Sequence, residues 1–214
     1  METKTIYLIR HGETDFNRRG IVQGSGVDSD LNALGKAQAT AFFEKYGTVA
    51  FDKIYVSALK RTHQSVRHFI EKGVQHEIHA GLNEISWGIR EGLMPHYTDN
   101  AYYKTLTGSW RAGNLALPAE GGESPLDVQA RQLPVVQLIE ARPAEKTILV
   151  AMHGRAIRVL LATLVRKPLE QMDYFEHSNL GLYVLEYNYQ TAQYHIKISN
   201  DVSHLSNLAT QNWD

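Results

Sequence analysis

Two stretches of the sequence, KTIYLIRHGETDFN at residues 4–17 and KTILVAMHG at residues 146–154, place a short apolar run before a histidine that is followed by a glycine. Apolar runs of this length, rich in β-branched residues, are typical of strands buried on both faces of a parallel sheet. The pattern predicts two such strands, with His11 and His153 at their carboxyl ends. Ligands of open parallel sheets bind beyond those ends.

Strand and helix patterns alternate along most of the chain, and a hairpin pattern follows them. The predicted strands are 5–9, 53–57, 76–80 and 147–154, the predicted helices are 31–47, 58–73, 122–142 and 155–165, and the hairpin is 180–199. This alternation indicates an α/β fold, a three-layer sandwich in which helices flank a mostly parallel central sheet.

The segment from Trp87 to Gly122 breaks the alternation, because it is rich in glycine and aromatic residues and has no strand pattern. We expect an inserted lid here, helical around residues 99–106, within a single domain formed by residues 1–214. Packing inside the lid is the expected role of its aromatic residues, with stacking against a ligand as the alternative. These residues are Tyr97, Tyr102, Tyr103 and Trp110.

Composition excludes several classes of protein. The chain has 214 residues, 43% of them hydrophobic and 21% charged, and a net charge of −1. Bulk electrostatics therefore favour neither nucleic acid nor a membrane surface as a partner. The chain has no cysteine, which excludes disulfides and cysteine nucleophiles. Neither a signal-peptide pattern nor a membrane-length apolar run is present, so a cytoplasmic location is expected.

Cationic side chains cluster at two of the predicted strand ends. Arg10 and His11 end the first strand, and Arg61 lies one turn into the helix that follows the second strand. Parallel neighbours would bring both guanidinium groups to one edge, and their planar forks suit the oxygens of a phosphoryl group. An isolated arginine would instead extend to solvent. Since the net charge is close to zero, a phosphate site must be a local concentration of cations such as this one.

Five motifs occur in an order that resembles one known family: LIRHGETDFN at 8–17, SALKRTHQS at 57–65, LNEISWGIREG at 82–92, GGESPLD at 121–127 and LVAMHG at 149–154. Together they are similar to the histidine phosphatase superfamily, the phosphoglycerate mutase-like proteins. The resemblance covers roughly the first three quarters of the chain and leaves the hairpin and the tail outside it.

The resemblance implies a role for each matching position. His11 would be the nucleophile that becomes phosphorylated, and Glu84 the proton donor and acceptor. Arg10, Arg61 and His153 would form the phosphate pocket.

Four further positions also match the family motifs. Thr14 and Asn17 would bind phosphate oxygens or order the loop after His11, and Ser57 would support the histidine. The backbone N–H of Gly154 would face the phosphate.

The expected chemistry needs no cofactor and no metal. Imidazole has an ordinary pKa near ~6.5, so a neutral, nucleophilic fraction exists at cellular pH. Phosphoryl transfer requires mainly alignment and neutralisation of charge. We expect Arg10, Arg61 and a protonated His153 to supply that positive charge in place of Mg²⁺. The other histidines, including His177, are expected to be surface or packing residues.

Three functions stay open at this point. Arg90, Lys104 and Arg111 are the only lysine and arginine residues between Gly88 and Glu120. So few cations favour a phosphatase acting on one phosphomonoester of a small metabolite over a cofactor-dependent phosphoglycerate mutase that holds a doubly phosphorylated intermediate. A non-catalytic phospho-ligand binder is the third alternative.

Two further features of the sequence, Arg155 and the apolar hairpin, have more than one possible role. Arg155 follows the second His-Gly pair and would either recognise an acidic substrate or simply begin the next helix. The apolar hairpin offers an edge for a homodimer.

Overall fold

The computed structural model describes residues 2–94 and 97–208, and of residues 97–100 it describes only the backbone. A six-stranded sheet has the order β3-β2-β4-β1-β5-β6. Its strands are β1 (Thr3–Arg10), β2 (Lys53–Val56), β3 (His76–Ile78), β4 (Thr147–Met152), β5 (Leu182–Asn188) and β6 (Gln193–Asp201). The pairings β3–β2, β2–β4 and β4–β1 are parallel, whereas β5 pairs antiparallel with β1 and with β6. The predicted mostly parallel sheet is confirmed.

Helices cover both faces of this sheet. They are α1 (Asp15–Arg18), α2 (Ala33–Tyr46), α3 (Lys60–Glu71), α4 (Tyr97–Arg111), α5 (Pro125–Glu140) and α6 (Gly154–Leu164). Side chains of β4 alternate between two apolar clusters: Ile148 and Val150 pack in the cluster of α5 and α6, while Leu149 packs in the cluster of α2 and α3. This alternation follows from the two-residue period of a strand, and it confirms the predicted three-layer sandwich.

Strand register brings the two His-Gly pairs together. Arg10 pairs with Met152 in the parallel β1–β4 ladder, so His11 and His153 leave the sheet side by side. The rings of the two histidines are 5.1 Å apart between centroids. The loop before β5 reaches the same edge, since the backbone N–H of Leu180 donates to the carbonyl oxygen of Arg10 at 3.1 Å.

Two helices differ from the expectation. Helix α1 lies in a region expected to be only loop; it forms because Thr14 and Asn17 make a capping box around its first turn. Helix α4 is longer than the expected 99–106 and occupies much of the segment 87–122. Helix α5 begins at Pro125, within the predicted range 122–142, and Ser124 is its N-cap. Within residues 2–94 and 97–208, no helix has the length and apolar character needed to cross a membrane.

Candidate active site

His11 is buried directly beyond β1, with 2% of its surface exposed. Its Nδ1 lies 2.7 Å from the carbonyl oxygen of Gly12. A carbonyl only accepts hydrogen bonds, so Nδ1 carries the proton and the lone pair of the neutral ring is on Nε2. Burial, and then the charges of Arg10 and Arg61, lower the pKa of His11 well below its usual value. The ring is therefore neutral and carries a nucleophilic nitrogen at physiological pH.

The backbone beside His11 is fixed by neighbouring elements. The N–H of Gly12 donates to Ser65 Oγ on α3 at 2.9 Å, and the amide of Asn179 donates to the carbonyl oxygen of His11 at 2.9 Å. A Cβ on Gly12 would lie 2.6 Å from the carbonyl oxygen of Gly35 at the start of α2. Glycine is required here because the two backbones are in direct contact.

His153 is fully buried beyond β4 and is hydrogen bonded through both ring nitrogens. Arg61 Nε donates to Nδ1 at 3.1 Å, so the proton of the ring lies on Nε2, which donates to Ser57 Oγ at 2.8 Å. Ser57 thus supports this histidine. Burial and then the charge of Arg61 lower the pKa of His153 well below its usual value. The expected positive charge on His153 is therefore wrong for this arrangement, and the positive charge comes from the arginines.

Arg61 is fully buried rather than extended to solvent. Its guanidinium donates to the carbonyl oxygens of Val27 at 2.6 Å and Gly24 at 3.2 Å, in the glycine-containing loop that borders the cleft. Burial lowers its pKa to about 10, with the carboxylate of Glu84 acting in the opposite direction. Arg61 therefore stays charged at neutral pH.

Arg10 brings a second guanidinium to the cleft. Its Nη1 donates to the carbonyl oxygen of His177 at 3.1 Å. Its Nε is buried and has no hydrogen-bond partner within the described residues. Buried N–H groups of this kind are rare in folded proteins, and a bound ligand is one way to satisfy them. Arg10 therefore has a donor available for an anion.

Glu84 is buried at the wall of the same cleft, between a short 3-10 turn (Ala80–Leu82) and the 87–122 segment. Its Oε1 accepts from the N–H groups of Ile85 and Ala156, both at 2.9 Å, and its Oε2 accepts from the N–H of Arg155 at 3.1 Å. The last two donors belong to the first turn of α6. The carboxyl group is therefore held in one orientation.

Thr14 and Asn17 lie in the loop after His11 and keep it ordered. Thr14 is the N-cap of α1, its Oγ1 donates to Gln23 Oε1 at 2.7 Å, and Asn17 Oδ1 accepts from the backbone N–H of Thr14 at 3.2 Å. Of the two roles expected for Thr14 and Asn17, these contacts support the ordering of the loop after His11.

The cleft combines expected residues with others that sequence reasoning missed. Arg10, Glu84 and Gly154 line it together with Val22, Gln23, Trp87, Tyr103, Arg155 and His177. His177, which was expected to be a surface or packing residue, lines the cleft and packs on Gly154. A Cβ on Gly154 would lie 2.8 Å from Cε1 of His177, so Gly154 is required for this ring to enter the cleft. No strand-end motif marks His177, because it lies in the loop before β5.

Arg155 does more than begin α6. Its side chain is 5% exposed, its Nη2 donates to the hydroxyl of Tyr103 at 2.7 Å, and its Nη1 forms an ion pair with Asp173. Two of the four aromatic residues expected to pack do so: Trp110 is fully buried, 5.8 Å from Trp87 between ring centroids, and Tyr102 is partly buried against the same core. Tyr103 instead lines the cleft, while the side chain of Tyr97 lies outside the described residues.

No cluster of three histidine or carboxylate side chains is arranged to hold a metal ion in the part of the chain that the structure describes.

The sequence model of the histidine phosphatase superfamily, branch 1, matches residues 6–200 of the chain. The chain belongs to the histidine phosphatase superfamily. The match includes the hairpin β5–β6, which corrects the expectation that the family resemblance ends before it.

Relatives of the chain include proteins named as mutases and proteins named as phosphatases. A 2,3-bisphosphoglycerate-dependent phosphoglycerate mutase of Bartonella tribocorum is 32% identical over 170 residues, which cover 75% of this chain and 81% of the relative. A mycobacterial glucosyl-3-phosphoglycerate phosphatase has a similar structure, with a TM-score of 0.80 and 25% identity over 92% of this chain and 99% of its own. YhfR of Bacillus stearothermophilus gives a TM-score of 0.81 and 27% identity over 95% and 100%.

Proposed function

We propose that this protein is a metal-independent phosphomonoesterase, a hydrolase that acts on a small phosphorylated metabolite through a phosphohistidine at His11. The observation that carries the proposal is the tautomer of His11: the hydrogen bond to Gly12 leaves the lone pair on Nε2, in a buried pocket flanked by two guanidinium groups. Such a nitrogen attacks phosphorus without a neighbouring base.

In the first step Nε2 of His11 attacks the phosphorus atom and the bond from phosphorus to the ester oxygen breaks. Glu84 gives its proton to that oxygen, because an alkoxide is a poor leaving group. In the second step the carboxylate of Glu84 takes a proton from water as the water attacks the phosphohistidine, which releases phosphate and restores both groups. Arg10 and Arg61 neutralise the charge on the phosphoryl oxygens in both steps.

The surroundings of the cleft support a phosphatase over a mutase. Val22, Trp87 and Tyr103 continue from the cleft into an apolar recess. Such a wall suits an alcohol with some apolar surface. Two of the cations in the 87–122 segment already have partners: Arg111 contacts Asp173 at 3.0 Å, and Arg90 lies 4.3 Å from the ring centroid of Tyr102.

The mutase is the second candidate, because relatives about 30% identical to this chain are named phosphoglycerate mutases. We further propose that the 87–122 segment acts as a lid within a single domain, and that the protein works in the cytoplasm. A small phosphorylated molecule is the proposed partner, rather than nucleic acid or a membrane, with a homodimer formed at the hairpin edge. A non-catalytic binder is less well supported, since binding alone needs the arginines but not Glu84.

A panel of phosphomonoesters tests the assignment. We expect phosphate release that persists in EDTA, and an acid-labile phosphoryl group on the protein that is absent from His11→Ala. The exposed His195→Ala is the matched control and should behave as the parent. Loss of turnover in EDTA, or a His11→Ala variant that keeps activity within a few fold, would contradict the proposal. Conversion of 3-phosphoglycerate to 2-phosphoglycerate that depends on 2,3-bisphosphoglycerate would instead establish the mutase.

A further inference from the structure

Arg131, on α5, binds the backbone of the segment that carries Glu84. Its Nη1 donates to the carbonyl oxygens of Gly81 at 2.8 Å and Asn83 at 2.9 Å. Its Nη2 donates to the carbonyl oxygen of Glu84 itself at 2.9 Å. One guanidinium group, with its donors in a rigid plane, therefore holds three carbonyl oxygens of this segment in fixed positions.

Glu123 fixes the orientation of that guanidinium group. Its Oε1 accepts from Arg131 Nε at 2.7 Å, and its Oε2 accepts from Arg131 Nη2 at 3.0 Å. The same Oε2 accepts from the backbone N–H of Ser86 at 2.8 Å, and the N–H of Glu123 donates to the carbonyl oxygen of Ser86 at 2.9 Å. The ion pair of Arg131 and Glu123 thus binds the backbone on both sides of Glu84.

The segment around Glu84 depends on such side-chain contacts, because residues 83–87 form neither helix nor strand. Backbone groups outside regular structure need other hydrogen-bond partners when they leave water. The preceding 3-10 turn also touches α5 directly, since a Cβ on Gly81 would lie 2.4 Å from the carbonyl oxygen of Arg131. Helix α5 therefore sets the position of the segment.

Helix α5 also contacts the turn that binds the carboxylate of Glu84. Gln132, the residue after Arg131, donates through Nε2 to the carbonyl oxygen of Ala156 at 2.8 Å. The N–H of Ala156 is one of the donors to Glu84 Oε1. Arg131 is not among the described residues that line the cleft. Any effect of Arg131 on the reaction must therefore pass through the position of Glu84.

We propose that Arg131 is a positioning residue for Glu84, which it holds where the leaving alcohol can be protonated. The inference rests on the proposed function, which makes Glu84 the proton donor. Proton transfer depends on hydrogen-bond geometry, so a displaced carboxyl group transfers its proton less well. Loss of Arg131 should therefore slow the cleavage of esters whose alcohol needs a proton and spare esters whose alcohol does not.

Two esters that differ in this need test the role of Arg131 through kcat/KM, which reports the steps up to departure of the alcohol. For glycerol 3-phosphate, Arg131→Met should lower kcat/KM by about 10- to 100-fold, the effect of a displacement of about 1 Å. For p-nitrophenyl phosphate the fall should be less than about threefold, since this good leaving group needs no proton. Arg131→Lys should keep part of the activity toward glycerol 3-phosphate, because an ammonium group still donates to some of the same oxygens.

A double variant shows whether Arg131 acts through Glu84. The kcat/KM of Glu84→Gln/Arg131→Met for glycerol 3-phosphate should lie within about threefold of that of Glu84→Gln alone, because no proton donor is left to displace. Arg142→Met is the matched control. Arg142 is 32% exposed against 22% for Arg131, and it also pairs with a carboxylate, that of Glu77 at 2.9 Å, but it does not belong to the described lining of the cleft. This control should keep the parental ratio of the two kcat/KM values.

Three results would overturn the inference. Arg131→Met may lower kcat/KM for both esters equally, it may leave both unchanged, or its loss may add in full to that of Glu84→Gln in the double variant. Thermal unfolding of each variant identifies loss of folding. If Arg131→Met does not fold, the comparison of the two esters on Arg131→Lys decides.

Hydrogen exchange separates this inference from the proposed function, because it needs no activity. The N–H groups of Arg155 and Ala156 lie in the first turn of α6, where a helix offers them no partner of its own, and they donate to Glu84. We expect their exchange to be at least about fivefold faster in Arg131→Met and parental in Arg142→Met.

The two assays together distinguish the possible failures. A parent that releases no phosphate from either ester would refute the phosphatase, whereas faster exchange in Arg131→Met would still support the positioning of Glu84. Phosphate release by the parent, combined with parental exchange in Arg131→Met, would overturn the inference and retain the proposed function.

Discussion

Ser65 connects the position of His11 to the stability of the fold. Its side chain is 1% exposed, and its Oγ accepts from the N–H of Gly12 at 2.9 Å while donating to the carbonyl oxygen of Arg61 at 2.6 Å. Ser65→Ala removes the acceptor and leaves a buried N–H beside the nucleophile. A buried donor without a partner costs about 1–3 kcal/mol, so the free energy of unfolding should fall by that amount. For a chain of 214 residues the melting temperature should fall by roughly 2–12 °C.

The same substitution should also reduce activity. Gly12 supplies the carbonyl oxygen that holds Nδ1 of His11, so freeing its N–H lets the imidazole move from the line of attack. Displacement by about 1 Å costs on the order of 100-fold in rate, and we expect a fall in kcat/KM of about 10- to 100-fold. The exposed Ser206→Ala provides a serine-to-alanine control with neither effect.

Urea denaturation and steady-state hydrolysis of p-nitrophenyl phosphate measure the two effects separately. A loss of unfolding free energy below about 0.5 kcal/mol, typical of surface substitutions, would show that the N–H finds another acceptor. If kcat/KM also stays within twofold of the parent, then Gly12 does not position the nucleophile and the reasoning is refuted.

Three other changes test the site. Glu84→Gln should lower kcat for alkyl phosphates by about 10²- to 10⁴-fold, because an alkoxide needs a proton in order to leave. The loss of kcat for p-nitrophenyl phosphate should be less than about tenfold, since this good leaving group needs no proton. Equal losses for both substrates would assign Glu84 another role. Gly154→Ala, whose Cβ would meet His177 at 2.8 Å, should lower kcat/KM by about 5- to 100-fold through displacement of that ring, and a change below twofold would contradict the close packing. The pKa of His177 falls to about 3 in the folded protein from about 6.5 in the unfolded chain, so the unfolded chain binds more protons between these values. The free energy of unfolding should thus drop as the pH falls from about 6.5 toward 3, and this residue contributes up to about 1.4 kcal/mol per pH unit. Denaturation at several pH values should show that the free energy of unfolding depends less steeply on pH in His177→Gln than in the parent.

Strand ends explain which parts of the fold and site the sequence could predict. The apolar runs before His11 and His153 are local patterns, and parallel pairing places their ends together whatever the loops do. Arg61 could be placed for the same reason, since α3 begins soon after β2. Helix α1 was missed because it is a single turn that depends on one capping box, and one turn has no hydrophobic period.

Residues of long-range loops could not be predicted in this way. His177 reaches the cleft only because β5 pairs antiparallel with β1, a pairing that brings distant parts of the chain together and leaves no periodic signal near residue 177. The protonation of His153 depends likewise on its neighbours rather than on its own motif. Its Nδ1 accepts from Arg61 in a buried site, and a second positive charge there would be repelled.

Because a buried imidazole beside Arg61 stays neutral, the positive charge in this cleft lies on the arginines and the nucleophile is a histidine. A pocket of cations favours the anionic substrate, but burial, together with the same cations, lowers the pKa values of His11 and His153 and keeps both rings neutral. The arginines stay charged because their pKa values start far higher, and Arg61 falls only to about 10. Permanent guanidinium charge therefore attracts the phosphoryl group and also adds to the effect of burial in keeping Nε2 of His11 unprotonated at the pH at which it must attack. Replacing Arg61 by a neutral residue would weaken both, which makes the positive field part of the nucleophile's chemistry as well as of substrate binding.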